Sequence, residues 1–261
     1  MDIHERGARR AKLLLVGLTV LVVGALTVGG IAAYSLIDED SSSKPASGPT
    51  ATGETKPSGS ASAGSGGEMT PERAKKVSLN APTGQKGGAS IGFPHSAGGA
   101  VSAVVHFWEE HAWMDDQKAR QQLEVVTSPD AAGYIDKQIS EVRKLREGAG
   151  LPASGGTPAG ITFTTTVEAV RMRSLVGDGL PRGDVVHIWL SFDRYATTPE
   201  KATDDNPVKG DTVDFIVKWQ DGAWKLTDEP VYFKQRTFPV AYDPDSPFAW
   251  QDQWIQVRHE D

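Results

Sequence analysis

The chain has 261 residues, 38% of them hydrophobic, and a formal net charge of −7. That length supports a core of moderate size, and the acidic balance argues against a nucleic-acid partner, which would need a basic face to neutralise phosphates. There is no cysteine, which excludes disulfides, thiol catalysis, thiolate metal sites and lipid attachment through a cysteine.

Residues 1–12 form a short basic tail with Arg6, Arg9, Arg10 and Lys12. From Leu13 to Ile37 no residue is charged. A helix needs about 20 apolar residues to cross a bilayer, whereas the apolar core of a cleaved signal peptide runs to about 15. Residues 13–37 therefore read as an uncleaved signal anchor. Asp38, Glu39 and Asp40 follow it, so the charge asymmetry places the N-terminus in the cytoplasm and the rest outside the cell membrane. Ala25, Gly29 and Ala33 make a small-xxx-small ridge that could pair two such helices in a homo-oligomer, although small residues are common in membrane helices generally. Residues 38–90, rich in Gly, Ser, Pro and Thr, cannot bury enough surface to repay their ordering entropy and read as a disordered tether.

The folded part is expected from residue 91 to about 235. After the loop GFPHSAGG, Ala100, Val104, Phe107 and His111 recur at helical spacing. Within this helix HFWEEH resembles the HExxH zinc motif, but His106 and His111 are five apart, about 140° around the axis, and cannot chelate one ion. No metal or cofactor is expected. DDQKARQQLEVV reads as a second helix. A third opens at Ser128 and Pro129 as cap and first residue, carrying Ala131, Ile135, Ile139 and Val142. The breakers GAGLPASGGTPAG end it.

The period then becomes two. Phe163, Thr165, Val167 and Ala169 share one face of a first long strand. Val186, Ile188, Leu190 and Phe192 alternate with His187, Trp189 and Ser191 on the second. TVDFIVKW, the turn QDGA and WKLTDEPV form a hairpin, with Asp-Gly as its turn and Trp219 and Trp224 either paired across it or capping the core end. Three helices followed by about four antiparallel strands define an α+β class: a curved sheet against a long helix.

The three helices, the long-stranded meander and the V-x-W-x-D-G-x-W-x-L hairpin resemble the nuclear-transport-factor-2-like, or cystatin-like, cone fold. With a single N-terminal anchor, the chain resembles the scaffold subunits of conjugative type IV secretion systems, including the TcpC-like proteins of Gram-positive bacteria. It also resembles anchored proteins of actinobacterial mobile elements through GFPHSAGGAVSAVVHFW. The resemblance covers residues 91 to about 235. TcpC-like proteins can carry two such domains in tandem, and this chain has room for one. The resemblance implies a non-enzymatic extracytoplasmic scaffold with protein partners in a membrane envelope complex. Two alternatives stand beside it. One is a small-molecule or lipid-binding module of an import system, with His187 and Trp189 lining a pocket. The other is a cone-fold enzyme using His187, Asp193 and Tyr195. The face carrying His187 and Trp189 reads equally as the solvent face.

Residues 236–261 form an aromatic C-terminal tail. Pro239, Pro244 and Pro247 break any strand, and Ser246 can cap a short final helix. On that helix Trp250, Trp254 and Val257 would fall on one face. The stripe either docks on the domain's own sheet or serves as a partner contact.

Overall fold

The computed structural model describes residues 75–176, 180–199, 201 and 203–259. Residues 13–37 lie outside these; among the described residues no helix is long and apolar enough to cross a membrane. The elements in chain order are β1 (Lys76–Ser78), β2 (Gly84–Lys86), β3 (Ala89–Ile91), α1 (Ala97–Glu110), α2 (Asp116–Val126), α3 (Tyr134–Gly148), β4 (Thr162–Ser174), β5 (Val185–Thr197), β6 (Val208–Gln220), β7 (Ala223–Thr227), α4 (Pro230–Phe233), α5 (Pro247–Gln251) and β8 (Ile255–Arg258).

The class is α+β. The sheet, expected to be antiparallel with about four strands, has six in the order β1-β8-β4-β5-β6-β7 and is mixed, because β1 joins β8 in parallel. The meander β4 to β7 accounts for the antiparallel part. Residues 75–90, assigned to the tether, instead belong to the fold. Short and polar, β1 to β3 carry little periodicity of their own. They are held by contacts from distant residues: Gln256 N donates to Lys75 O, Asn80 N to Ser102 Oγ and Ser90 N to Glu110 Oε2.

One face of the sheet packs on the helices. Val170, Val186, Ile188, Leu190, Phe192, Val213, Phe215, Val217 and Leu226 meet Val101, Val104, Val105, Phe107 and Trp108 of α1, with Leu123 of α2 and Ile139 and Val142 of α3 behind. The stripe read on β5 is thus the core stripe. On β4 the expected stripe breaks, because a bulge falls between Val167 and Ala169. Val167 and Val170 enter the main core, and Ala169 turns to the opposite face. An extra residue in one strand reverses every later side chain.

The two motifs that carried the resemblance meet in space. Asp221 and Gly222 both take positive φ, 51° and 77°, as a tight two-residue hairpin turn requires, and Trp219 opposes Trp224 in register at 5.3 Å. The His95 ring stacks on Trp219 at 4.3 Å, and Trp224 Nε1 donates to Pro94 O at 2.9 Å. GFPH thereby fixes the start of α1 onto the β6–β7 hairpin. Ser96 caps that helix by accepting from Gly99 N.

Ser128 does not cap α3. That helix begins at Tyr134, after Gly133 in a left-handed conformation. The Ser128 hydroxyl accepts from Asp130 N in a local turn and bonds to Gln220 Oε1. Pro129 therefore lies in a turn, since local serine turns compete with helix initiation.

Candidate interaction surface

The second face of the sheet is covered as well, which is why β5 is buried along most of its length. After β7 the chain crosses this outer face as a strap, residues 230–254. Tyr232 packs with Leu175, Val185 and Ile216. Arg236 grips Asp214 of β6 through two nitrogens, Nε to Oδ2 at 2.8 Å and Nη2 to Oδ1 at 2.6 Å. His187 Nε2 lies 2.7 Å from the same Oδ2. Further along, Ala249 and Trp254 pack on Ala169 and Trp189, with Tyr242 and Trp250 alongside. Trp254 Nε1 donates to Val240 O at 2.8 Å, and Arg171 Nε donates to Asp252 O at 2.7 Å.

His187 and Trp189 are therefore neither a solvent face nor the lining of an open pocket. Both are buried beneath the strap. Burial, the largest influence, pushes the His187 pKa below its usual value, while the hydrogen bond to Asp214 opposes it. His187, Asp193 and Tyr195 do not converge on a cavity: Asp193 accepts from the Tyr195 hydroxyl at 2.9 Å and from Gly210 N.

Trp250, Trp254 and Val257 do not share a helical face. α5 ends at Gln251, Gln253 takes a positive φ of 71°, and Val257 lies in β8. Trp254 is 2% exposed and packs on the outer face, whereas Val257 packs against the main core on the other side of the sheet. The helical count over residues 250–257 fails because β8 finds open edges on both β4 and β1.

The large apolar side chains that remain exposed are localised. The large hydrophobic residues exposed among the described residues are Met172, Val176, Leu180, Val231, Phe233, Phe238, Val240 and Phe248. All of them belong to two stretches, the end of the β4–β5 hairpin and the strap. These stretches are tied together: Gln235 Nε2 donates to Val176 O at 2.8 Å, and Arg173 Nη1 donates to Thr237 Oγ1 at 3.2 Å. The Arg236 guanidinium lies 4.4 Å from the Phe233 ring and 5.5 Å from that of Phe238. On the helical side of the hairpin end lies a groove of about 380 Å³, lined by His95, Ala97, Met172, Arg182, Asp184 and Val186 among others. His95 and Asp184 are paired within it at 2.8 Å.

Sequence reasoning found the aromatic tail, but by exposure the structure offers other members of it than Trp250, Trp254 and Val257. Phe238 and Phe248 are the exposed rings, 59% and 64%, while Trp254 is buried and Trp250 half-buried. The proline-interrupted stretch has no repeating period, so nothing in it marks which rings face out.

Between helices and sheet the space is largely filled by side chains. The cleft among α1, β3 and β7 holds about 40 Å³, room for a water or two rather than a drug-sized ligand. Neither histidine of HFWEEH joins a cluster: among the described residues no group of three or more His, Asp or Glu side chains is arranged to hold a metal. His106 stacks on Phe93, and His111, just past the end of α1, stacks on Trp108. No protein-family model matches the chain, and no curated protein or solved structure is significantly similar to it.

Proposed function

We propose that the chain is a non-enzymatic interaction domain of a membrane envelope complex, displayed outside the cell on its N-terminal anchor. Conjugative transfer is the setting we favour, and the finer fold we assign is the nuclear-transport-factor-2-like cone. The meander β4–β7 wrapped on α1 supports that assignment. The parallel β1–β8 pair is an addition at its edge.

The observation that carries the functional reading is the strap and hairpin surface. Side chains such as Phe238, Phe248 and Val176 stand in water at an energetic disadvantage. Phe238 and Phe248 sit on the strap, which buried Trp254 and an arginine–aspartate pair anchor to the sheet, and Val176 sits on the hairpin end tied to that strap. Aromatic anchors on a rigid support are what protein interfaces use. Photo-crosslinking residues placed at Phe238 and Phe248 in the native cell envelope test the proposal. A discrete adduct with a partner protein is expected at both positions and not at Lys137 on α3. Loss of every adduct from a correctly exported protein refutes the proposal. Protease added to intact, wall-stripped cells tests the topology separately, since a cytoplasmic domain is protected.

A further inference from the structure

The two borders of the six-stranded sheet are guarded. Along the outer edge of β7, Ser128 N donates to Leu226 O and Lys225 Nζ to Val125 O. At the opposite border β1 is three residues long and opens on Lys76, and shortness and charge both discourage further pairing. β4 is different. It runs for 13 residues, but β8 pairs with it only at Ala169 and Val170. Beyond the bulge, Val167 is closed by side chains: its N–H donates to Glu109 Oε1 at 2.8 Å, and its carbonyl oxygen lies 3.0 Å from His259 Nε2. From Thr162 to Thr166 the strand is paired on the β5 side alone.

The same bonds fix which backbone groups face out. Val167 turns both of its own away from β5, so Thr165 and Phe163, at the same parity, do likewise. Ala196 agrees: it stands opposite Phe163, and its N–H goes to Asp204 Oδ2 at 2.7 Å rather than to β4. The N–H and C=O groups of Phe163 and Thr165 therefore point outward, and they meet no hydrogen-bond partner among the described residues. Their side chains are held from within. Phe163 packs on Trp113 at 4.6 Å, and Thr165 Oγ1 accepts from Arg194, which is buried near the end of β5. Thr162 and Thr164 alternate to the outer face and are exposed. Threonine and phenylalanine are good strand formers. No residue from Gly148 to Val167 is charged, in a chain where 23% of residues are. A rigid, uncharged edge of this kind is what natural sheets avoid leaving bare.

We propose that Thr162–Thr166 of β4 pair antiparallel with the same residues of a second copy of this chain, about a two-fold axis at Thr164. An isologous contact needs a self-complementary patch, and this edge is one. Phe163 of each copy exchanges both backbone bonds with Thr165 of the other, so every outward group is used. Thr164 faces its own copy on the axis, and Thr162 faces Thr166, threonine pairs that suit neighbouring strands. Charge decides for a second copy. The chain carries a net −7, yet two of these edges meet with no like charges directly opposed. A strand pair this short buries well under the roughly 1,200 Å² at which stable interfaces begin, so the contact is weak between free chains. It rests on the anchor of the proposed function, which confines the copies to one membrane and raises their effective concentration toward about millimolar.

The chain has no cysteine, so single cysteines read the register directly. Thr164→Cys and Thr162→Cys, both at exposed positions, are made in the 261-residue chain, reconstituted in phosphatidylcholine vesicles and oxidised with copper–phenanthroline. Across an axis at Thr164 the facing Cα atoms lie about 4.5 Å apart, within the roughly 4.4–6.8 Å that a disulfide spans. Two copies of position 162 are out of step by about 13 Å along the strand, beyond reach. The expected result is a disulfide-linked dimer of Thr164→Cys while Thr162→Cys stays monomeric. A mixture of Thr162→Cys and Thr166→Cys chains should link into a dimer that neither forms alone. Equal oxidation rates at positions 162 and 164 signify chance collision and overturn the pairing, as does the absence of a Thr164→Cys dimer. A chain that does not enter the vesicles refutes the anchor alone. The same variants oxidised in solution at about millimolar concentration then decide the pairing by the same outcomes.

Discussion

Replacing Trp254 and replacing Phe248 should have opposite consequences, although both residues are aromatic and lie six positions apart in the tail. Trp254 is buried against Ala169, Trp189 and Ala249, and its indole N–H is bonded to Val240 O. A tryptophan buries about 150–250 Å², which at about 25 cal/mol per Å² gives roughly 4–6 kcal/mol. Measured truncations of large core aromatics fall at about 3–5 kcal/mol. Trp254→Ala should therefore cost about 4 kcal/mol, and for a domain of this size lower the melting temperature by about 8–16 °C. Phe248 is 64% exposed, and Phe248→Ala should leave stability within about 0.5 kcal/mol while removing the photo-crosslinked partner. Urea unfolding and thermal melts of the two variants make the comparison. An unchanged melt for Trp254→Ala would show that the strap is not docked on the sheet, and would undo the covered outer face on which the interaction surface depends.

Two further outcomes follow from single residues. In α1, Gly99 faces the Pro94 carbonyl so closely that a Cβ would lie 1.9 Å from its oxygen. Gly99→Ala should therefore destabilise the domain by about 1–3 kcal/mol, against the gain of up to about 1 kcal/mol that helix propensity alone predicts; denaturant melts give the sign. His111 has a folded-state pKa of about 3 against an ordinary value of 6.5. The unfolded chain thus takes up a proton below pH 6.5 that the folded chain refuses. The resulting stability is complete above pH 6.5 and declines as pH falls toward 3, by up to about 1.4 kcal/mol per unit. His111→Gln should show a shallower acid limb than the parent in urea titrations at pH 7, 6 and 5; parallel limbs would remove the argument.

How much of this fold was legible follows from how local each signal is. The α1 pattern, the β5 stripe and the Asp-Gly hairpin rest on residues a few positions apart, and each is where the periodicity puts it. The bulge on β4 was not legible, because Thr165, Val167 and Ala169 alternate correctly on paper and only the pairing with β5 reveals the extra residue. The burial of His187 and Trp189 was not legible either. An alternating strand shows which residues oppose the core stripe, but not that a segment 40 or more positions later returns to cover them. Arg194 continues the stripe of Phe192 by parity, yet a charged residue at a strand end ordinarily reads as an exit to solvent.

The N-terminal boundary shows the same limit and leads to the remaining prediction. Composition draws the edge of the domain at residue 91, because the preceding residues are polar and small. Composition does not register hydrogen bonds made to distant partners, and residues 75–90 make several. Gln256 N, Ser102 Oγ, Glu110 and Gln122 Nε2 bond respectively to Lys75, Asn80, Ser90 and Gly88. Val77 and Leu79 pack against the main core, and Ala89 is buried. At about 1 kcal/mol for each net hydrogen bond and about 1 kcal/mol for each half-buried aliphatic side chain, removal of this stretch costs about 6–7 kcal/mol. That is comparable with the entire stability of many domains, about 5–15 kcal/mol. A fragment of residues 91–261 should therefore melt far below one of residues 75–261, or fail to fold cooperatively. It should also expose the β8 edge that β1 now covers, and self-associate more strongly. Circular dichroism melts and light scattering of the two fragments decide the matter: coincident melts with equal monodispersity would return residues 75–90 to the tether.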